Sequence, residues 1–205
     1  MRKALYLLLA LGLLAIAAFG VVGSAAWFTD GSTVPISATG ATLDIRAEVG
    51  PPGGTPTYYD PTGVELSVAN LAPGALSDKV MISVQNKPAP ASTLDVKYRY
   101  TASKTTSTPG FWAALNVQVE YGACVGHDLG FVAGTIYDGP LNALSFTSID
   151  NDYNTGDYLA VNETHCYRFA FYLDETAGNE LQGGNATFDI VIDATQPGNP
   201  GWAES

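Results

Sequence analysis

Polar and apolar residues alternate with a period of two along much of this chain, and no other feature narrows the fold as far. Val80, Ile82 and Val84 alternate with Met81, Ser83 and Gln85, and Leu94, Val96, Tyr98 and Tyr100 with Asp95, Lys97 and Arg99. Leu115, Val117, Val119 and Tyr121 alternate with Asn116, Gln118 and Glu120. Tyr167, Phe169, Phe171 and Leu173 alternate with Arg168, Ala170 and Tyr172, and Phe188, Ile190, Ile192 and Ala194 with Thr187, Asp189 and Asp193. Successive side chains of a strand point to opposite faces, so each run reads as a half-buried antiparallel strand. Residues 42–49 and 64–71 read the same way. The runs are separated by Gly50-Pro51-Pro52-Gly53-Gly54, Ala72-Pro73-Gly74, Lys87-Pro88-Ala89-Pro90, Pro109-Gly110 and Gly183-Gly184, none of which continues a strand. No stretch carries a helical period. The expected fold is all-β, an antiparallel jelly roll or β-sandwich in one domain over residues 41–196, with a loosely ordered tail at 197–205.

The N-terminus is of another kind. Arg2 and Lys3 precede an apolar run from Ala4 to Val22, which ends in Gly23-Ser24-Ala25-Ala26. A charged start, an apolar middle and a small-residue exit make a secretory signal peptide, with the cut expected between Ala26 and Trp27. The run is also close to the roughly 20 residues that span a bilayer, so an uncleaved anchor is the competing reading. The small-residue exit and the change to Asp30-Gly31-Ser32 favour cleavage, and with it a secreted protein that meets the membrane only through its leader.

Charge limits the partners. The chain has 9 basic and 20 acidic residues; without Arg2 and Lys3 the balance becomes 7 against 20, a net charge of −13. Such a surface repels nucleic acid and anionic lipid. An oxidising compartment makes the two cysteines, Cys124 and Cys166, a disulfide pair. The segment 27–40 follows the cut and carries Trp27, Phe28, Val34 and Ile36. It is either the first strand of its own sandwich or a strand lent to a neighbouring subunit, since an extended segment can complete another sheet by main-chain hydrogen bonds.

Trp27-Phe28-Thr29-Asp30 followed by Gly40-Ala41-Thr42-Leu43-Asp44-Ile45 resembles the start of TasA and camelysin-like proteins. So do Leu66-Ser67-Val68-Ala69-Asn70-Leu71-Ala72-Pro73-Gly74, with Ala75 where that family has an acid, and Gln85-Asn86 at a strand end. Asp174-Glu175-Thr176-Ala177-Gly178-Asn179-Glu180-Leu181-Gln182-Gly183 is similar to its A-G-N-x-x-Q-G turn, and Asp193-Ala194-Thr195-Gln196 to the close of its last strand. Residues 101–163 show no such match. The resemblance implies a jelly-roll subunit of extracellular fibres, often in a biofilm matrix, exported by the general secretory route. It also implies self-association in which the mature N-terminal segment completes the next subunit's sheet, alongside other matrix or surface proteins. The Cys124–Cys166 pair is not part of the family pattern.

Camelysin-like members have been described as metallopeptidases, so catalysis is weighed directly. The chain has two histidines, His127 and His165, and no H-E-x-x-H. A metallopeptidase needs about three protein ligands and a base, so the two are read as surface histidines at strand ends. No G-x-S-x-G occurs, and no catalytic residue or cofactor is expected. Asp150, Asp152, Asn154 and Asp157 form an oxygen-rich loop, the first three at calcium-type spacing. The glycine, Gly156, comes one place late and Val161 stands where a bidentate glutamate is needed, so an acidic surface loop is the plainer reading. Asn162 and Asn185 head glycosylation sequons. Tyr58, Tyr59, Tyr153, Tyr158 and Tyr172 are candidates for outward-facing rings, which supports a monomeric carbohydrate-binding or adhesive module as the alternative to a fibre subunit.

Overall fold

A computed structural model describes residues 29–30, 44–52, 54–55, 57–59, 64–88, 91–126, 128–150 and 158–199. The expected leader 1–26, the residues Trp27, Phe28, Val34 and Ile36, and the tail from residue 200 lie outside the described residues.

Eleven strands are found among these residues: β1 Thr29–Asp30, β2 Ile45–Gly50, β3 Thr57–Tyr59, β4 Val64–Ala69, β5 Val80–Asn86, β6 Lys97–Ser107, β7 Leu115–Val125, β8 Asp128–Pro140, β9 Ser145–Thr147, β10 Thr164–Leu173 and β11 Asn185–Thr195. A one-turn helix, α1 Phe111–Ala114, follows Pro109-Gly110. Gly110 sits at φ 79°, where a side chain is strained, and this turns the chain from β6 into β7.

All the strand pairs are antiparallel. One sheet runs β9-β6-β11, with β4 and β1 laid end to end along the other edge of β11. The second runs β3-β2-β5-β10-β7-β8. The inward residues are those the alternation selects. Tyr98 and Tyr100 of β6, Val117 and Val119 of β7, Phe169 and Phe171 of β10, and Phe188 and Ile190 of β11 are buried in one core. Burial of each such side chain contributes about 1.5–3 kcal/mol. Aromatic rings fill the centre: Tyr100 stacks on Phe146 with centroids 4.7 Å apart, and Tyr167 meets Tyr100 edge-on at 5.1 Å.

Three expectations are corrected. The run at Leu94–Tyr100 does not become a strand at Leu94. Val96 makes an isolated bridge to Leu159, and β6 starts at Lys97 and runs on to Ser107 through a Ser/Thr-rich stretch. The middle region 101–163, which carries no family match, holds the 11-residue β7 that the alternation at Leu115–Tyr121 marks, and also the 13-residue β8, which no alternation marks. Within it, β8 carries three more residues than β7 opposes. Pairing skips Ile136, Ala133 and Gly130 in turn, so every third residue of β8 is a bulge. Gly122 of β7 lies under this distortion, and a Cβ there would sit 2.0 Å from the Phe131 carbonyl oxygen. Lastly, His165 is not on the surface: it is fully buried.

Cys124 and Cys166 form a disulfide between β7 and β10, with Cα atoms 5.5 Å apart. Cys166 stands opposite Gly122, so the bridge runs diagonally to the residue two places on. It closes a 42-residue separation that contains β8 and β9. No helix among the described residues is long and apolar enough to cross a membrane.

Candidate functional site

The edges of the two sheets differ sharply. Edge strands carry unpaired main-chain groups, and proteins commonly blunt them by shortness or by bulges. Strands β3 and β9 have three residues each. The long edge strand β8 is coiled by its three bulges. The remaining edge, formed by β4 and β1, is regular, and β4 pairs with β11 from Asn185–Ala69 to Ile190–Val64 with no register shift.

Along this edge β11 is covered in two pieces. β4 takes Asn185 to Ile190, and β1 takes two residues, with Thr29 opposite Thr195 and Asp30 opposite Ala194. Between the pieces, Val191 to Asp193 pair with β6 on one side and with no described strand on the other. On the outward face of the β4 piece, Ser67 and Thr187 share a hydrogen bond at 3.0 Å, and the next pair is less favourable. Glu65 stands directly opposite Asp189, and like charges so placed oppose pairing.

Beside β4, the space between the sheets opens as a cleft of about 260 Å³. Its walls are Leu66 and Val68 of β4, Leu71, Val80 and Phe171, and Ser77 and Asp78 stand among its polar lining. Ser77 fixes one side: its amide donates to the Phe171 carbonyl, and the Phe171 amide donates to its Oγ at 2.9 Å. The cleft and the β1 pairing therefore belong to one sheet edge but to opposite ends of β11. Seven residues separate Phe188, the register partner of Leu66, from Thr195, about 23 Å at strand rise.

Under the β1 end of this edge lies a buried polar chain. Ala194 pairs with Asp30 on one side and with Tyr98 of β6 on the other. The Tyr98 hydroxyl crosses to the opposite sheet, where it lies 2.5 Å from His165 Nδ1 and also hydrogen-bonds the Tyr167 hydroxyl. His165 Nε2 faces Glu163 Oε1 at 3.3 Å, an ion-pair distance without good hydrogen-bond alignment. Burial pushes the imidazole pKa below its ordinary value, and the Glu163 carboxylate offsets part of that push. Sequence reasoning missed this group, although His165 shares the parity of Tyr167, Phe169 and Phe171 and so falls on the inward face.

The other sequence candidates fall apart spatially or lie outside the described residues. Asp150 accepts from the Thr147 amide at 2.6 Å and from its hydroxyl at 3.0 Å, which closes a local turn. Asp152, Asn154 and Asp157, and with them the rest of the calcium candidate, lie outside the described residues, as does His127. Among the described residues no three His, Cys, Asp or Glu side chains are grouped as metal ligands. Asn162 is exposed at φ 67°, while Asn185 Oδ1 accepts from the Thr108 hydroxyl at 2.7 Å. Of the tyrosines, Tyr158 is exposed, and Tyr172 donates to Asp138 at 2.6 Å. Tyr153 and the side chains of Tyr58 and Tyr59 lie outside the description.

No protein-family model, curated protein or solved structure matches the chain.

Proposed function

We propose that this chain is a secreted structural subunit of an extracellular filament, built on a jelly roll and polymerised by donation of its N-terminal strand. The strand order supports the jelly-roll reading. From β4 to β11 the chain lays β4-β11-β6-β9 against β5-β10-β7-β8, so the first and last of eight strands are neighbours. The apolar leader and the disulfide support export to an oxidising space.

The observation that carries the polymer reading is the two-residue pairing of Thr29 and Asp30 with the end of β11. Two residue pairs are described there, made by main-chain hydrogen bonds that an identical segment from another copy can form equally. Continued in that register, Gly31 to Thr33 fall opposite Asp193 to Val191. Val64 of β4 already stands opposite Ile190, so the strand must then step outside β4, and Pro35 suits such a step. Ile36 lies seven residues beyond Thr29, as Phe188 lies seven before Thr195, which brings it level with Leu66 and the cleft. We assign that recess to apolar side chains of the donated segment, for which Val34 and Ile36 are the candidates. A donating end and an accepting edge on different parts of one subunit make a heterologous contact, which propagates as an open filament.

The test is deletion of residues 27–36 from the mature protein. Filaments are expected to disappear in electron micrographs while the near-ultraviolet circular dichroism of the domain persists. Filaments of normal form and yield from the truncated chain would overturn the mechanism.

A further inference from the structure

The buried polar chain has no evident structural need. A hydrophobic contact between Tyr98 and β10 would join the sheets as well, without the desolvation of an imidazole and two phenols. Its position, however, is particular. Tyr98, Ala194 and Asp30 lie in one register row, so the residue that holds His165 from the far sheet also flanks the seat of β1. We infer that Glu163, His165, Tyr98 and Tyr167 form a proton-operated latch on the N-terminal strand: neutral His165 locks the row under Ala194, and protonated His165 releases β1 for exchange. This rests on the donated-strand reading.

The neutral state is self-consistent. With its proton on Nε2 toward the Glu163 carboxylate, the ring offers Nδ1 as an acceptor. Tyr98 donates to it and in turn accepts from Tyr167. A proton from solvent added at Nδ1 makes both ring nitrogens donors. The Tyr98 oxygen must then accept from Nδ1–H, its own hydroxyl must turn toward Tyr167, and the order of donors through the pair reverses. A cation is left in the core with a carboxylate at 3.3 Å on one side only. Among the described residues no second acid compensates it: its partner on β5 is Val84, and the β10–β7 pairing ends one residue earlier, at Cys166 opposite Gly122. Arg99, next to Tyr98, points to the other face, where it pairs with Asp193 at 3.1 Å. Opening at the sheet margin is the cheapest relief, and β1 is the marginal strand on that row, with two described residue pairs.

The experiment follows hydrogen exchange in the monomeric mature protein, with filament mass measured in parallel, between about pH 7.5 and 5. Peptides covering residues 29–30 and 191–195 should exchange about tenfold faster at the acid end after correction for intrinsic rates, with β10 still protected. His165→Gln retains an acceptor for Tyr98 and a donor for Glu163 but cannot take the proton, so its exchange should be slow and flat. Tyr98→Phe removes the link and should exchange fast throughout. Wild-type exchange that is flat with pH, or a pH response kept in both variants, would overturn the latch. If the latch behaves as stated but no filaments form at any pH, the filament reading fails and the latch stands.

Discussion

Removing the disulfide is the perturbation whose size can be worked most directly. Cys124 and Cys166 close a separation of 42 residues, for which the chain-entropy relation gives about 4 kcal/mol at 25 °C. Reduction deletes no atoms from the fold, because both sulfurs remain. With a urea slope of about 2 kcal/mol/M for a domain of this size, the midpoint should fall by about 2 M. The assay is equilibrium urea unfolding followed by aromatic fluorescence, with and without a reductant, at one protein concentration and neutral pH. Replacement of both cysteines by alanine should give the same fall or slightly more, since Cys166 is fully buried and its sulfur leaves a small void. A shift below about 0.5 M would refute the reasoning. It would mean that residual structure around β7 and β8 already restricts the unfolded chain, and that the bridge adds little.

Three further outcomes follow from particular contacts. Phe171 is buried between the core and the cleft beside β4, and Phe171→Ala should lower unfolding free energy by about 3–5 kcal/mol in the same titration. Partial burial pushes the Glu120 carboxyl up, but hydrogen bonds and charge from Arg168 and Lys79 outweigh it and hold the pKa below the ordinary value. A lowered carboxylate stabilises the fold above its unfolded pKa, and this is lost as pH falls through the folded value. Glu120→Gln should therefore remove part of the loss of stability seen in acid, measured as midpoint against pH. Tyr172 is pushed up to about 12, first by its hydrogen bond to Asp138 and then by partial burial. Asp138→Asn should bring its ultraviolet titration down toward the ordinary tyrosine value of about 10.

What the sequence made legible was the set of strands whose partners keep strict register. The positions of β5, β10 and β11 are read from alternation because their inward residues are large and apolar while the outward ones are small, polar or charge-paired, as at Asp193 with Arg99, even where Met81, Ser83 and Ala170 are buried on the outer face. β8 was invisible because its bulges at Gly130, Ala133 and Ile136 break the period before it can repeat. The second half of β6 was invisible because Thr105 and Thr106 are exposed and no apolar face marks it. The disulfide was legible by count and compartment, and its two ends do meet. His165 reads as a surface residue when the metal-ligand count alone is weighed, whereas its parity with Tyr167 and Phe169 puts it inward, where it is buried. The cleft and the split edge of β11 depend on which strands stop short of one another, and periodicity along a single strand carries no information about that.

The most direct test of the central claim is a cysteine pair at Thr29→Cys and Thr195→Cys, residues that stand opposite each other in register, at a separation that suits a disulfide. Monomer and filament fractions are oxidised separately and run on a non-reducing gel. The account predicts single-chain links in the monomer and a ladder of covalently joined chains in the filament, collapsing to one band on reduction. Filaments that yield only single-chain links would contradict it, because the N-terminal strand would then stay on its own sheet throughout assembly.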